Sequence, residues 1–236
     1  AVNNILSFTD NEIKNRKLYW SILNQRMDKM HDNNIEMNIE DARNYDAMSI
    51  LLGRYKPDVI VQLAAVSHAN KSNKDPHTTF DHTLRTLENT LDIARSFGSH
   101  VIYFSSSMVY GHFETPTVNE EYPCNPLGIY GTLKYSGELM VKSYGHVFDL
   151  PYTIVRPSAL YGERCVSRRV GQIFIENAVQ NLGITIQGDG SDKLDFTYID
   201  DLVAGISLML DNPKALNQIF NITYGEGRSI EELAQI

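Results

Sequence analysis

Tyr130 and Lys134 lie four residues apart in a segment whose apolar residues recur at helical spacing, so the two side chains share one helix face. An isolated tyrosine titrates near pH ~10 and is a poor base at neutrality. An ammonium beside it stabilises the phenolate and lowers that pKa. A tyrosinate could then take the proton of an alcohol while the alcohol's carbon gives up hydride. Ser106, within Ser105-Ser106-Ser107, could hydrogen-bond the same oxygen. That is general acid–base catalysis of an alcohol–ketone interconversion. With 13 tyrosines in the chain, the Tyr–Lys pair alone discriminates little. A surface lysine beside a half-buried tyrosine, and a serine turn bonding its own backbone, are the plain alternatives. The ordered set within one β-α frame favours chemistry.

The elements that must position these residues follow from hydrophobic periodicity. Residues 58–65, 101–106 and 152–156 are short apolar runs, as in strands buried in a parallel sheet. Pro157 is expected to stop the third. Helical patterns fall at 10–28, 45–54, 76–97 and 130–144. Strands alternating with such helices predict an α/β fold with a doubly wound parallel sheet. After Pro157 the texture changes, with a helix expected at 170–182, a short strand at 184–186, a turn at Gly188-Asp189-Gly190, a strand at 196–199 and a helix at 200–210. In open α/β sheets ligands sit at the carboxyl ends of the strands. The residues just past Leu63, Phe104 and Val155 are therefore the place for chemistry.

Composition narrows the class. The chain has 236 residues, 42% of them hydrophobic, enough for a real core. Its 21 Lys and Arg against 29 Asp and Glu leave a net charge of −8, which argues against a general nucleic-acid or anionic-membrane binder. No apolar run approaches the roughly 18 residues of a membrane span. The two cysteines, Cys124 and Cys165, have neither zinc-ligand nor disulfide-scaffold spacing, which fits a reducing cytoplasm. His77 and His82 share no helix face and suggest no metal site.

Ser105-Ser106-Ser107-Met108-Val109-Tyr110-Gly111 is followed about 20 residues later by Tyr130-Gly131-Thr132-Leu133-Lys134-Tyr135-Ser136-Gly137-Glu138. Together these resemble the extended short-chain dehydrogenase/reductase family, the NAD-dependent nucleotide-sugar epimerases and dehydratases. The likeness runs from about Asn3 to the C-terminus. Pro57–Leu63-Ala64-Ala65 is similar to that family's fourth strand and turn, Asp195-Phe196-Thr197-Tyr198 to its substrate-lobe signature, and Phe220-Asn221-Ile222 to its last strand.

The resemblance implies a Rossmann-like, N-terminally truncated sheet with a smaller C-terminal substrate lobe. Residues 1–162 would form the dinucleotide-binding domain. Residues 163–236 would mainly form the lobe, with 196–212 and 219–223 able to return to the main domain. It implies bound, recycled NAD. Tyr130 would be the base, Lys134 would hold the nicotinamide ribose, and Ser106 would align the sugar hydroxyl. Asn3, Asn38, Ile39, Leu63, Ala64, Ala65, Pro157 and Ser158 would complete the cofactor site. Ser67, Ser107, Met108, Ala159, Arg169 and Gln187 would face a nucleotide-diphosphate sugar.

Departures from the family pattern matter. The Gly-x-x-Gly-x-x-Gly loop that cradles pyrophosphate is absent, for the first glycine is Gly53. Val2-Asn3-Asn4-Ile5 looks like the end of the second strand. The first strand, glycine loop and first helix are therefore expected upstream of Ala1, and this stretch alone is expected to bind NAD poorly and to be inactive. Asn3 and Asn38 stand where relatives have Asp, Thr83 where they have Asn, Ala159 where they have Asn and Leu194 where they have Arg. Lys193, Arg168 and Arg169 are the candidates to replace that Arg, although a solvated basic corner is the simpler reading of the Arg pair. Thr83 is most simply a helix residue. Dehydratases carry Asp-Glu at the positions of Ser107 and Met108, which can neither donate nor take a proton at neutral pH. An epimerase passing through a keto-sugar is thus the expected activity. A dehydratase, a 4-reductase, a decarboxylase or a non-catalytic dinucleotide sensor are the alternatives.

The apolar residues of 76–97 and 130–144 also suggest a homodimer. Leu84, Leu87, Leu91 and Ala94 form one stripe, and Leu139, Met140 and Val141 are consecutive, so they cannot all face the sheet. A four-helix contact between two copies would cover them, and glutamate at Leu87 and Leu91 would then give a soluble monomer.

Overall fold

The structure, a computed structural model, describes residues 16–167 and 169–236. The expectations for Asn3, Arg168 and the helical pattern at 10–15 lie outside them. The chain divides into two compact units, a larger one of Glu40–Ser158 with Asp200–Gly225, and a smaller one of residues 16–39, Ala159–Ile199 and Glu226–Ile236.

The larger unit is built on four parallel strands, β1 (Val59–Gln62), β2 (His100–Phe104), β3 (Tyr152–Pro157) and β6 (Gln218–Ile222), in the order β1-β2-β3-β6. β3 runs one residue further than expected, because Pro157 still pairs with Ile222 at the end of the ladder. α2 (Tyr45–Tyr55) precedes β1, and its N-cap Asn44 accepts the Ala47 N–H at 3.1 Å. α3 (Ala69–Lys74) and α4 (Pro76–Phe80) follow β1. A π-turn at Asp81–Arg85 then leads into α5 (Thr86–Phe97), which ends on Gly98 at φ 69°. α6 (Ile129–Phe148) joins β2 to β3, and α8 (Ile199–Leu210) precedes β6.

The core lies between the sheet and α5 and α6. Leu87, Leu91, Ala94, Val101, Tyr103, Val141, Leu150 and Ile154 are buried there, with Leu84, Met140 and Tyr144 packed on them. At about 1.5–3 kcal/mol per buried large side chain, this cluster is the main force fixing α6 against β2. It corrects the assignment of the α5 stripe. Leu87 and Leu91 face the sheet of their own unit rather than a second copy. Of the consecutive trio on α6, Val141 is buried, Met140 packs on the core and Leu139 is 49% exposed.

The smaller unit holds α1 (Arg16–Asp32), β4 (Ala159–Tyr161), α7 (Val170–Val179), β5 (Lys193–Tyr198), β7 (Gly227–Ser229) and α9 (Ile230–Gln235). β4 pairs parallel and β7 antiparallel with β5. The rings of Tyr161 and Tyr198 pack at a 51° tilt with centroids 5.5 Å apart. α7 stops earlier than expected because Asn181 takes a left-handed φ of 55°, which returns the Leu182 N–H to the Asn177 carbonyl at 2.8 Å. Ile184-Thr185-Ile186 forms no strand, for most of it is exposed and little burial rewards pairing. Gly188-Asp189-Gly190 is the expected turn. Both glycines have φ near 80°, and the Asp189 carboxylate accepts from Ser191. No helix among the described residues is long and apolar enough to cross a membrane. Both cysteines are free.

Candidate active site

The parallel register sets Gln62, Tyr103 and Ile154 side by side, so three chain segments emerge at one carboxyl edge of the sheet. They are Leu63-Ala64-Ala65, Ser105–Met108 and Pro157-Ser158. At that edge, two residues past the end of β2, Ser106 in extended conformation (φ −165°, ψ 152°) caps the one-turn helix Ser107–Tyr110. Its Oγ accepts the Met108 N–H at 3.2 Å, which leaves the hydroxyl hydrogen for another acceptor. Ser106 is buried, Ser107 half-buried and Met108 exposed.

α6 brings Tyr130 and Lys134 to the same edge. Its start is held by Asn73 of α3, whose side-chain oxygen accepts the Ile129 N–H at 3.2 Å. Its approach to β2 depends on glycines. A Cβ at Gly131 would lie 2.6 Å from the Met108 carbonyl oxygen, and one at Gly137 would lie 2.2 Å from the Tyr103 hydroxyl. A larger residue at Gly131 would have to move the helix or the Ser107–Tyr110 turn, and one at Gly137 the helix or the Tyr103 ring.

Lys134 is 5% exposed. Its Nζ donates to the Phe104 carbonyl at 2.7 Å and stands 5.2 Å from the Tyr103 ring centroid and 6.0 Å from that of Tyr130. Burial of the ammonium pushes its pKa down to about 8. Tyr103 also donates to the Lys134 carbonyl at 3.3 Å. Burial, with the negative charges of Glu138 and ionised Tyr130, drives the Tyr103 phenol far above its ordinary value. Of the two tyrosines beside the lysine, Tyr103 is thereby excluded as a base near neutrality.

The Leu63–Val66 stretch is held from the π-turn and the start of α5. The Thr86 hydroxyl lies 3.0 Å from the Ala64 carbonyl, and Thr83 Oγ1 accepts the Val66 N–H at 3.4 Å. Thr83 is therefore more than a helix residue. It is buried and holds Val66, the residue after the stretch expected to line the cofactor. Pro157 and Ser158 are half-buried at the end of β3, and Ser67 is exposed. Asn38, Ile39, Ala159, Arg169 and Gln187 belong to the smaller unit, where Asn38, Ile39 and Gln187 are exposed, Ala159 opens β4 and Arg169 precedes the first turn of α7. No cluster of metal-ligating side chains occurs among the described residues.

Sequence reasoning included Glu138 and Arg156 in its quoted stretches but gave neither a role. The structure pairs them in the core, with Arg156 Nε and Nη2 on the two Glu138 oxygens at 2.8 and 2.6 Å. The signal was present, since Gly131, Lys134 and Glu138 fall on one helix stripe and Arg156 interrupts an apolar strand.

A family model described as "NAD dependent epimerase/dehydratase family" matches residues 11–223. The chain belongs to this family. It is similar to the putative UDP-glucose 4-epimerase of Methanocaldococcus jannaschii, 36% identical over 76% of this chain and 59% of that one. It is also similar to Protein CapI of Staphylococcus aureus, 31% identical over 84% of this chain and 60% of that one. Among solved structures, the UDP-glucuronic acid 4-epimerase of Bacillus cereus, in complex with UDP-glucuronic acid and NAD, matches with a TM-score of 0.76 at 31% identity, covering 82% of this chain and 61% of that one. The chain thus spans about 60% of the length of the curated relatives it matches.

For this family member the fit to a dinucleotide is divided. Two N–H bonds of the buried Lys134 ammonium have no hydrogen-bond partner among the described residues, which suits vicinal ribose hydroxyls. A pyrophosphate cradle is another matter. The first glycine, Gly53, lies inside α2, so no glycine-rich turn precedes the sheet in these 236 residues.

Proposed function

We propose that the whole gene product is an NAD-dependent nucleotide-sugar epimerase that interconverts two UDP-linked hexoses at C4. The observation that carries this reading is the grouping of Ser106, Tyr130 and Lys134 at one sheet edge, with no carboxylic acid at Ser107 or Met108. The UDP-glucose and UDP-glucuronic acid 4-epimerases among its relatives support the choice of substrate class.

Bound NAD supplies the hydride acceptor and, in the return step, the hydride donor. Lys134 holds the ribose hydroxyls with its two spare N–H bonds and keeps positive charge beside the Tyr130 phenolate. Leu63, Ala64 and Ala65 would line the cofactor, and Pro157 and Ser158 would border its nicotinamide. Tyr130 takes the proton from the sugar 4-hydroxyl as the C4 hydride leaves, and Ser106 donates to the same oxygen. The 4-keto sugar turns over and presents its other face. Hydride then returns to C4 while Tyr130 gives the proton back to O4, so the enzyme ends as it began. Elimination of the 6-hydroxyl would need an acid and a base beside C5 and C6, and Ser107 and Met108 provide neither.

The remaining assignments belong to the same reading. The larger unit carries the dinucleotide. Ser67 is the substrate candidate of the larger unit, and Ala159, Arg169 and Gln187 are those of the smaller unit. The enzyme works as a cytoplasmic homodimer. Product analysis tests the reading. With NAD and UDP-glucose or UDP-glucuronate, the whole gene product should give the C4 epimer and no net reduced cofactor. A 4-keto-6-deoxy product alone would replace the epimerase with a dehydratase, and carbon dioxide release would indicate a decarboxylase.

A further inference from the structure

The buried ion pair of the larger unit takes no part in proton transfer, yet it touches the catalytic turn on both sides. Arg156 on β3 and Glu138 on α6 are both essentially inaccessible to solvent. The Ser105 hydroxyl donates to Glu138 Oε1 at 2.6 Å, and the Ser105 N–H donates to the Val155 carbonyl at 2.8 Å. Ser105 is thus fixed by backbone and side chain immediately before Ser106. On the far side of the turn, Arg156 Nη1 donates to the Tyr110 hydroxyl at 2.8 Å and to the Glu120 carbonyl at 3.2 Å. Tyr110 in turn donates to Asn221 of β6 at 2.7 Å.

We infer that Glu138 and Arg156 are a positioning pair, which locks the Ser105–Tyr110 turn to α6 and so sets Ser106 against Tyr130 and Lys134. Lys134 and Glu138, one helical turn apart, grip the consecutive residues Phe104 and Ser105. A two-pronged guanidinium–carboxylate contact fixes orientation as well as distance. Apolar side chains of the same volume would hold the layers together as strongly without aiming the turn. The inference rests on the proposed catalytic set, and its test keeps the two apart.

The test uses the whole gene product. Glu138→Gln and Arg156→Met should each lower kcat roughly 10²-fold, the scale of a misplaced catalytic group, while KM changes little. The double variant Glu138→Met/Arg156→Met should regain much of the melting temperature lost in either single variant, because no buried charge is left alone, yet it should not regain kcat. Ser105→Ala, which removes one hydroxyl and spares the ion pair, should keep the fold and lose about tenfold in kcat. A double variant or a Ser105→Ala variant turning over at the unmodified rate overturns the inference. Hydrogen exchange gives a readout without turnover. The Met108 and Val109 amides, which bond Ser106, should exchange faster in Ser105→Ala than in the core control Val141→Ala. Equal rates overturn the inference as well. If the unmodified protein epimerises no UDP-hexose, the proposed function fails and the exchange comparison alone decides the role of the pair.

Discussion

Gly131 lies so close to Met108 that a methyl group on its Cα would meet the Met108 carbonyl oxygen at 2.6 Å. The two residues flank the proposed catalytic set, one following Tyr130 on the helix and the other two positions past Ser106. Gly131→Ala must therefore move the helix or the turn. We expect a loss of about 1–3 kcal/mol in stability, read from urea midpoints, and a drop in kcat larger than that of a surface control such as Thr132→Ala. Unchanged stability and turnover would show that the contact is slack.

Lys134 carries a cost that its replacement should expose. Its folded pKa of about 8 lies below the ordinary 10.5, so the unfolded chain binds more protons between those values. Stability from this group is therefore highest above pH 10.5 and is lost as pH falls through about 8. Lys134→Met should remove that slope. At pH 7 it should stabilise the fold by about 1–2 kcal/mol, the desolvation relief less the lost bond to the Phe104 carbonyl. The same variant should bind NAD more weakly, turn over more slowly and shift its pH optimum upward, because the Tyr130 phenolate loses its cation. A variant less stable than the parent at pH 7 but equal to it above pH 10.5 would reverse the sign and contradict the burial argument.

The assembly prediction changes with the core. Leu87 and Leu91 are fully buried in their own unit, so Leu87→Glu places an unpaired charge in the core. It should cost on the order of 4 kcal/mol and give aggregated or unfolded protein instead of a soluble monomer. Leu139, half-exposed on the outer side of α6, is the better probe. Leu139→Glu should leave the melting temperature nearly unchanged and convert a dimer into a monomer by light scattering. A monomeric unmodified protein at micromolar concentration contradicts the dimer.

The sheet, and the bringing of Ser106, Tyr130 and Lys134 to its edge, were legible because their signals are local. Short apolar runs at 58–65, 101–106 and 152–156 mark buried strands, and a Tyr and a Lys four apart need only a helix to share a face. What escaped notice depends on contacts distant in sequence. Nothing near Leu87 says whether its stripe meets a sheet or a second copy, since both are apolar. Thr83 reaches Val66 only because a π-turn at Asp81–Arg85 shifts the helix register, and no residue type there announces such a turn. Glu138 and Arg156 are 18 residues apart, and their pairing becomes visible only when α6 folds back on β3. Ile184-Thr185-Ile186 shows the opposite failure, a local β pattern with no burial to sustain it.

The proposed epimerase requires Tyr130 as the proton-transfer group. The most direct measurement is the rate of C4 epimerisation of a UDP-hexose by the whole gene product and by its Tyr130→Phe variant, with thermal unfolding recorded for both. Removing the hydroxyl while keeping the ring should lower the rate roughly 10²–10⁴-fold and leave the melting temperature nearly unchanged. A loss of less than about tenfold in a folded variant would mean that another residue moves the proton, and the central claim would be wrong.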